Sequence, residues 1–182
     1  MRLSIGDLAP KILLPDLTGQ SFELTQQHDK LTLVAFHRFA GCPFCNLRLH
    51  QLIQRYPAWQ HRLNVVVIFD STLDNLQRHA TDHQPPFPVL ADAQNTAYRA
   101  YGVEHSWWGV AKGVMCRTPT LIKAMWQGHR PKSLQGRMDT MPASFMIDAQ
   151  GVIQLTYYGQ DEGDYLPFAQ IDALLAQHAT AS

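Results

Sequence analysis

Leu31-Thr32-Leu33-Val34-Ala35-Phe36 runs through His37 and Arg38 into Gly41-Cys42-Pro43-Phe44-Cys45, and then into Asn46-Leu47-Arg48-Leu49-His50-Gln51-Leu52-Ile53-Gln54-Arg55-Tyr56. The first part is a short apolar run with β-branched residues, the pattern of a buried strand. The last part spaces Leu49, Leu52, Ile53 and Tyr56 as one face of a helix. Two thiols, Cys42 and Cys45, therefore stand at a strand-to-helix junction, close enough to form a disulfide across the first helical turn. Pro43 suits the first helical position, where its missing N–H costs nothing. Cys42 then falls at the N-cap, under the unsatisfied amides and the positive end of the helix dipole, where a thiolate is favoured. His37 and Arg38 are cationic or potentially cationic neighbours that lower the Cys42 pKa further if they fold towards it. The reading makes Cys42 the attacking sulfur and Cys45 the resolving one. A C-x-x-C can also be half of a zinc site, but the chain adds only Cys116 and scattered histidines as further ligands. A bridge over so small a loop removes little chain entropy, so a purely structural disulfide would be a poor staple.

Composition bounds the class. With 182 residues, 46% of them hydrophobic, the chain is long enough for one well-packed domain over residues 1–182 and short for two. Lys+Arg and Asp+Glu are both 15, and no basic run suggests a nucleic-acid surface. The opening Met1-Arg2-Leu3-Ser4-Ile5-Gly6-Asp7 reaches Asp7 and Pro10 before any apolar stretch long enough for a signal peptide or a membrane span. The expectation is a cytoplasmic protein that does not bind membranes. Three cysteines fit a reducing compartment in which the C-x-x-C is catalytic. Neither a metal nor an organic cofactor is needed.

Outward from the motif, Ile12-Leu13-Leu14, the turn Asp16-Leu17-Thr18-Gly19 and Phe22-Glu23-Leu24 suggest a hairpin. Pro57 is expected to end or bend the motif helix. Leu63 to Phe69 is the strongest strand signal, apolar enough for an interior strand. Ser71 or Thr72 caps a helix through Leu73, Leu76 and Ala80. A loop from Pro85 leads to a short strand ending near Asp92, and a helix from about Thr96 to Tyr101 stops at Gly102. The segment from about 104 to 140 mixes Trp107, Trp108, Met125 and Trp126 with Gly109, Gly113 and Pro119 and reads as an insertion with helical pieces. Its apolar residues serve as core or lid, or as a homodimer contact or substrate-facing surface. Met141 to Asp148, the turn Ala149-Gln150-Gly151 and Val152 to Tyr158 form a second hairpin, and Leu166 to His178 is a terminal amphipathic helix. The sum is an α/β fold with a central mixed sheet flanked by helices.

In this order and spacing the chain resembles thioredoxin-fold proteins of the alkyl hydroperoxide reductase C and thiol-specific antioxidant family, the peroxiredoxin-like or redoxin proteins. The resemblance rests on Ile5-Gly6-Asp7-Leu8-Ala9-Pro10 with Leu14-Pro15-Asp16-Leu17-Thr18-Gly19-Gln20, on the strand and Gly41-Cys42-Pro43-Phe44-Cys45, and on Pro142 to Gly151. It implies a hydroperoxide or disulfide as substrate, an antioxidant role, and a thiol electron donor of the thioredoxin, glutaredoxin or glutathione kind. The chain departs from the family where peroxiredoxins have a Pro and a Thr or Ser ahead of the reactive cysteine. Ala35 and Phe39 stand there instead. Pro142 takes the place of a late arginine, for which Arg38 or Arg117 could substitute. Pro142 in turn resembles the cis-proline of thioredoxins, which implies a cis Met141–Pro142 peptide against Cys42 and a backbone edge at Met141 for a polypeptide substrate. Phe36 occupies the place of the buried aspartate of thioredoxins.

The leading expectation is a thiol-dependent oxidoreductase with Cys42 and Cys45 as catalytic residues. His37, Arg38, Pro43, Phe44, Met141 and Pro142 modulate the site or bind substrate. Two other readings remain: a thioredoxin-like disulfide oxidoreductase without peroxidase activity, and a non-enzymatic redox sensor or binding module. Of the nine histidines only His37 is a candidate modulator. Cys116 is read as an ordinary thiol or as a late disulfide partner.

Overall fold

The computed structural model describes residues 1–24, 30–80, 84–103 and 140–181. The segment 104–139, with its tryptophans, Cys116 and Arg117, lies outside the described residues, as do the dimer contact and lid expected there. Strands β1 (Ile12–Pro15) and β2 (Ser21–Leu24) form the N-terminal hairpin. The main sheet is built from β3 (Leu31–His37), β4 (Leu63–Phe69), β5 (Val89–Ala91), β6 (Ala143–Ile147) and β7 (Ile153–Tyr158), in the order β5-β4-β3-β6-β7. Strands β3, β4 and β5 run parallel, and β6 and β7 are antiparallel additions. The helices are α1 (Pro43–Trp59), α2 (Leu73–Ala80), α3 (Thr96–Ala100) and α4 (Phe168–Ala181).

Because side chains alternate across a strand, β3 and β4 feed two separate cores. Leu31, Leu33 and Ala35 with Leu63, Val65, Val67 and Phe69 face one side and pack with Leu49, Leu52 and Trp59 of α1 and Ile171 and Leu175 of α4. Val34, Phe36, Val66 and Ile68 face the other side and pack with the β1–β2 hairpin and with Ala97 and Tyr98 of α3. Both cysteines belong to the first core. Phe36 lies in the second, surrounded by Tyr98, Tyr101 and Phe145 with ring centroids 5.0, 5.0 and 5.8 Å away. It stands on the sheet face opposite the dithiol.

Local chemistry sets the element ends. The Thr72 hydroxyl accepts the Asn75 N–H at 3.3 Å, which caps α2. At α3 the cap comes from further back: the Asp92 carboxylate accepts the N–H groups of Thr96, Ala97 and Tyr98. Gly102 ends that helix at φ +64°, where a Cβ would lie 2.3 Å from the Met1 carbonyl oxygen. Of the two outcomes expected of Pro57, ending the helix does not occur: α1 runs through it to Trp59. A proline this near the C-terminus forfeits one backbone bond, and the last turn is anchored by Trp59 Nε1 and Arg55 Nη2, which donate to Asp172 of α4 at 2.8 and 2.5 Å.

Phe36→Leu should lower the unfolding free energy by about 1–3 kcal/mol, through lost aromatic packing. It should leave the Cys42 titration unchanged, because the side chain is on the far face. Denaturant midpoints and thiolate absorbance against pH test both halves.

Candidate active site

The dithiol sits where the carboxyl ends of parallel strands β3 and β4 open, the position at which such sheets place their chemistry. The loop from His37 to Gly41 crosses this end and is tied down from several sides. The Asp70 N–H donates to the Arg38 carbonyl at 3.2 Å. Asp70 itself accepts from Thr140 Oγ1 and Asn95 Nδ2 at 2.6 and 2.8 Å. The buried Tyr98 hydroxyl sits between the carbonyls of His37 and Ile68. Thus the end of β3 is held by groups from β4, α3 and the start of β6.

Cys42 is the N-cap of α1, with extended backbone angles (φ −72°, ψ 122°) and Pro43 following it at the helix start. Its carbonyl accepts the Asn46 N–H at 3.0 Å and Asn46 Nδ2 at 3.1 Å, while the same amide reaches the Ala40 carbonyl at 2.8 Å. Asn46 therefore staples the loop to the first helical turn. Arg38 Nη1 lies 3.7 Å from Cys42 Sγ, its guanidinium over the Phe39 ring. The Arg38 N–H donates to Cys45 Sγ at 3.3 Å, and the Tyr165 hydroxyl donates to the same sulfur at 3.2 Å. Both thiols are free and buried, Cys42 1% exposed and Cys45 0%.

The two sulfurs titrate in opposite directions. Burial alone pushes Cys42 up, but the hydrogen bond from Cys45, the Arg38 charge and the N–H groups of Cys45 and Phe44 outweigh it and bring the thiol from 9.0 down to about 7. Cys45 is raised well above the ordinary thiol range by burial, by its hydrogen bond to Cys42 and by the charge there. Arg38 keeps its proton more firmly than usual, since the negative charge of Cys42 and its neighbours offsets its own burial.

His37 differs from the sequence reading. It is fully buried, its ring against Phe69 and Tyr165 at 5.0 and 5.3 Å. Neither ring nitrogen has a hydrogen-bond partner among the described residues. Burial, and then the nearby Arg48 charge, lower its pKa from 6.5 to about 3. A neutral imidazole cannot supply the positive charge expected of it, and Arg38 provides that charge alone of the two. Pro142 differs too. No described peptide bond is cis, so Met141–Pro142 is trans. Both residues are buried, and the Pro142 carbonyl accepts the Gly159 N–H at 2.8 Å. The turn that was to present a backbone edge at Met141 is absent. Pro43 and Phe44 act through the helix start, the Phe44 side chain lying in the core and its N–H facing the Cys42 sulfur.

Sequence reasoning missed three residues. Asn46 carries a readable signal, a carboxamide four positions after the N-cap cysteine. Tyr165 carries none, being 120 positions from the sulfur it touches. Arg48, buried on α1, donates to the Leu166 carbonyl at 2.5 Å and lies 3.8 Å from the Phe168 ring centroid. Among the described residues no cluster of three metal-ligating side chains occurs.

A buried dithiol with a lowered and a raised pKa at the strand-to-helix junction of this sheet defines a peroxiredoxin-like thiol oxidoreductase of the thioredoxin fold. The chain belongs to the AhpC/TSA family, which it matches over residues 5–156. It is 29% identical over 153 residues to peroxiredoxin Bcp of Escherichia coli K12, covering 84% of this chain and 83% of that one. The fold is shared with peroxidoxin BcpB from Mycobacterium tuberculosis (20% identity, TM-score 0.67, 96% of each chain). It is shared also with a thiol peroxidase from Chromobacterium violaceum (20% identity, TM-score 0.70, 98% of this chain and 90% of that one).

Two outcomes follow from the charges. Arg38→Met should raise the Cys42 midpoint by about one pH unit or more, read from thiolate absorbance. His37 takes a proton near 6.5 in the unfolded chain but only at about 3 in the fold. The unfolded state thus binds more protons across that window, and stability falls with falling pH by about 1.4 kcal/mol per pH unit from this residue. His37→Phe, which keeps a ring in place, should flatten that acid-side loss in denaturant midpoints taken between pH 6.5 and 4.

Proposed function

We propose that the protein reduces hydroperoxides, with Cys42 as the attacking and Cys45 as the resolving cysteine. The observation that carries this reading is the pairing of a thiol poised near neutrality with a guanidinium 3.7 Å from its sulfur. The Cys42 thiolate attacks one peroxide oxygen, the O–O bond breaks, and the alkoxide or hydroxide leaves as alcohol or water after taking a proton. Arg38 is placed to bind the oxygens as charge develops on them, the role that the missing late arginine would otherwise fill. Cys45 then attacks the Cys42 sulfenic acid; the S–S bond forms, the S–O bond breaks, and water leaves. An external thiol donor of the thioredoxin, glutaredoxin or glutathione kind reduces the bridge and restores both thiols.

Burial favours a small oxidant over a protein disulfide. Cys42 is 1% exposed and Met141, the residue expected to offer a backbone edge, is buried at 4% exposure. A reducing compartment such as the cytoplasm suits the cycle, because the dithiol must be returned to its reduced form after each turnover. No described helix is long and apolar enough to cross a membrane.

Reduced protein mixed with hydrogen peroxide should yield an intramolecular Cys42–Cys45 bridge, mapped by mass spectrometry. Cys42→Ser should abolish peroxide consumption, while Cys45→Ser should still consume one equivalent and accumulate sulfenic acid trapped by dimedone. Faster turnover of a model protein disulfide such as insulin than of peroxide would instead favour disulfide oxidoreduction.

A further inference from the structure

We infer that Tyr165 is a catalytic residue of the resolving step, donating a hydrogen bond to the Cys45 sulfur as it becomes a thiolate. This deepens the peroxidase reading above and rests on it. Two donors already face that sulfur in the reduced protein: the Tyr165 hydroxyl at 3.2 Å and the Arg38 N–H at 3.3 Å. The Cys45 thiol in turn supplies the hydrogen bond that helps lower the Cys42 pKa. The reduced site is thus a relay, phenol to Cys45, Cys45 to Cys42, with Arg38 at the far sulfur.

Tyr165 is held in position by what surrounds it. Its ring lies against His37 at 5.3 Å, and the Arg48 guanidinium lies 5.6 Å from its centroid on a side chain that grips the next carbonyl, that of Leu166. The preceding loop is fastened by Asp164, which accepts from the Tyr157 hydroxyl and the Gln160 N–H at 2.6 and 2.9 Å. At Gly159 the loop passes so close that a Cβ would stand 2.4 Å from the Asp164 carbonyl oxygen. The neutral His37, without a role in charging Cys42, acquires one as part of this wall.

The chemistry requires such a donor. When Cys42 has become a sulfenic acid, Cys45 must lose its proton inside a buried site to attack. The Cys45 proton leaves with the hydroxide of the S–O bond as water, and the S–S bond forms. During that transfer the sulfur carries negative charge where no water reaches it, and the phenol O–H and the Arg38 N–H are the preorganised groups that stabilise it. Burial keeps the phenol protonated, so the donor persists throughout the working pH range. In the reductive half the same contact acts in reverse. An external thiolate attacks the Cys42 sulfur, the S–S electron pair passes to Cys45, and Tyr165 meets the departing thiolate.

The test is single-turnover kinetics of Tyr165→Phe with hydrogen peroxide. Bridge formation should slow about ten-fold, the effect of one hydrogen bond to a charged group, and by a larger factor than peroxide consumption does. Dimedone-trapped sulfenic acid and overoxidised Cys42 should rise accordingly, and the pH midpoint of bridge formation should move upward, which a purely structural contact would not cause. A fluorinated tyrosine at 165, a stronger donor of the same shape, should accelerate bridge formation and carries the test should Tyr165→Phe fold poorly. An unchanged rate and midpoint of bridge formation in either protein overturns the inference. If the wild type itself forms no Cys42–Cys45 bridge with peroxide, the peroxidase reading fails first, and that result is distinct from a normal bridge that ignores Tyr165.

Discussion

The architecture depends on placing a negative sulfur at a site from which water is excluded. A thiolate in an apolar core is costly, and desolvation alone would keep both cysteines protonated. At Cys42 the cost is offset by the hydrogen bond from Cys45, by the Arg38 guanidinium, and by the start of α1, whose first N–H groups have no partners inside the helix. Helix and arginine can converge on one atom only because β3 ends where α1 begins, with four residues of loop between His37 and Cys42. That loop has its own fixings in Asn46, Asp70 and Tyr98. Loosening any of them would let the helix start and the arginine drift apart.

Strand parity does the rest of the placing. Odd-numbered residues of β3 face the α1 and α4 layer, so His37 follows Leu33 and Ala35 onto the dithiol side and meets Tyr165. Phe36 points the other way. The comparison with the buried aspartate of thioredoxins therefore concerns a position whose side chain here fills an aromatic core among Tyr98, Tyr101 and Phe145. Residues next to each other in sequence thus serve different layers, and only one of the layers carries chemistry.

What was legible in the sequence was local. The strand before the motif, the helix after it, the two hairpins and the terminal helix each announce themselves through periodicity or turn residues, and the N-cap position of Cys42 follows from Pro43 alone. Contacts of long sequence separation were not legible. Tyr165 reaches the site from the loop before α4, and Arg48 of α1 is turned onto that loop by the Leu166 carbonyl and the Phe168 ring, partners that no spacing reveals. His37 was misread because a histidine two residues beyond a buried alanine was judged by its proximity to Cys42 and not by the face it occupies. Pro142 was misread through the resemblance: a proline at a strand start is compatible with either isomer, and the surrounding backbone decides.

Division of labour between the sulfurs is a consequence of geometry, not of residue type. Cys42 and Cys45 are the same side chain one helical turn apart, yet the helix amides and the arginine act on the first, while the second gives its hydrogen to the first and receives those of Tyr165 and the Arg38 amide. Pairs of titratable groups driven apart in this way divide nucleophile from proton carrier. The arrangement also fixes the order of events. Once oxidation consumes the Cys42 charge, the part of the penalty on ionising Cys45 that comes from Cys42 disappears, and burial alone opposes its two donors. In the cycle proposed above, the first step thereby eases the second, since Cys45 is held as a thiol more firmly before Cys42 is oxidised than after.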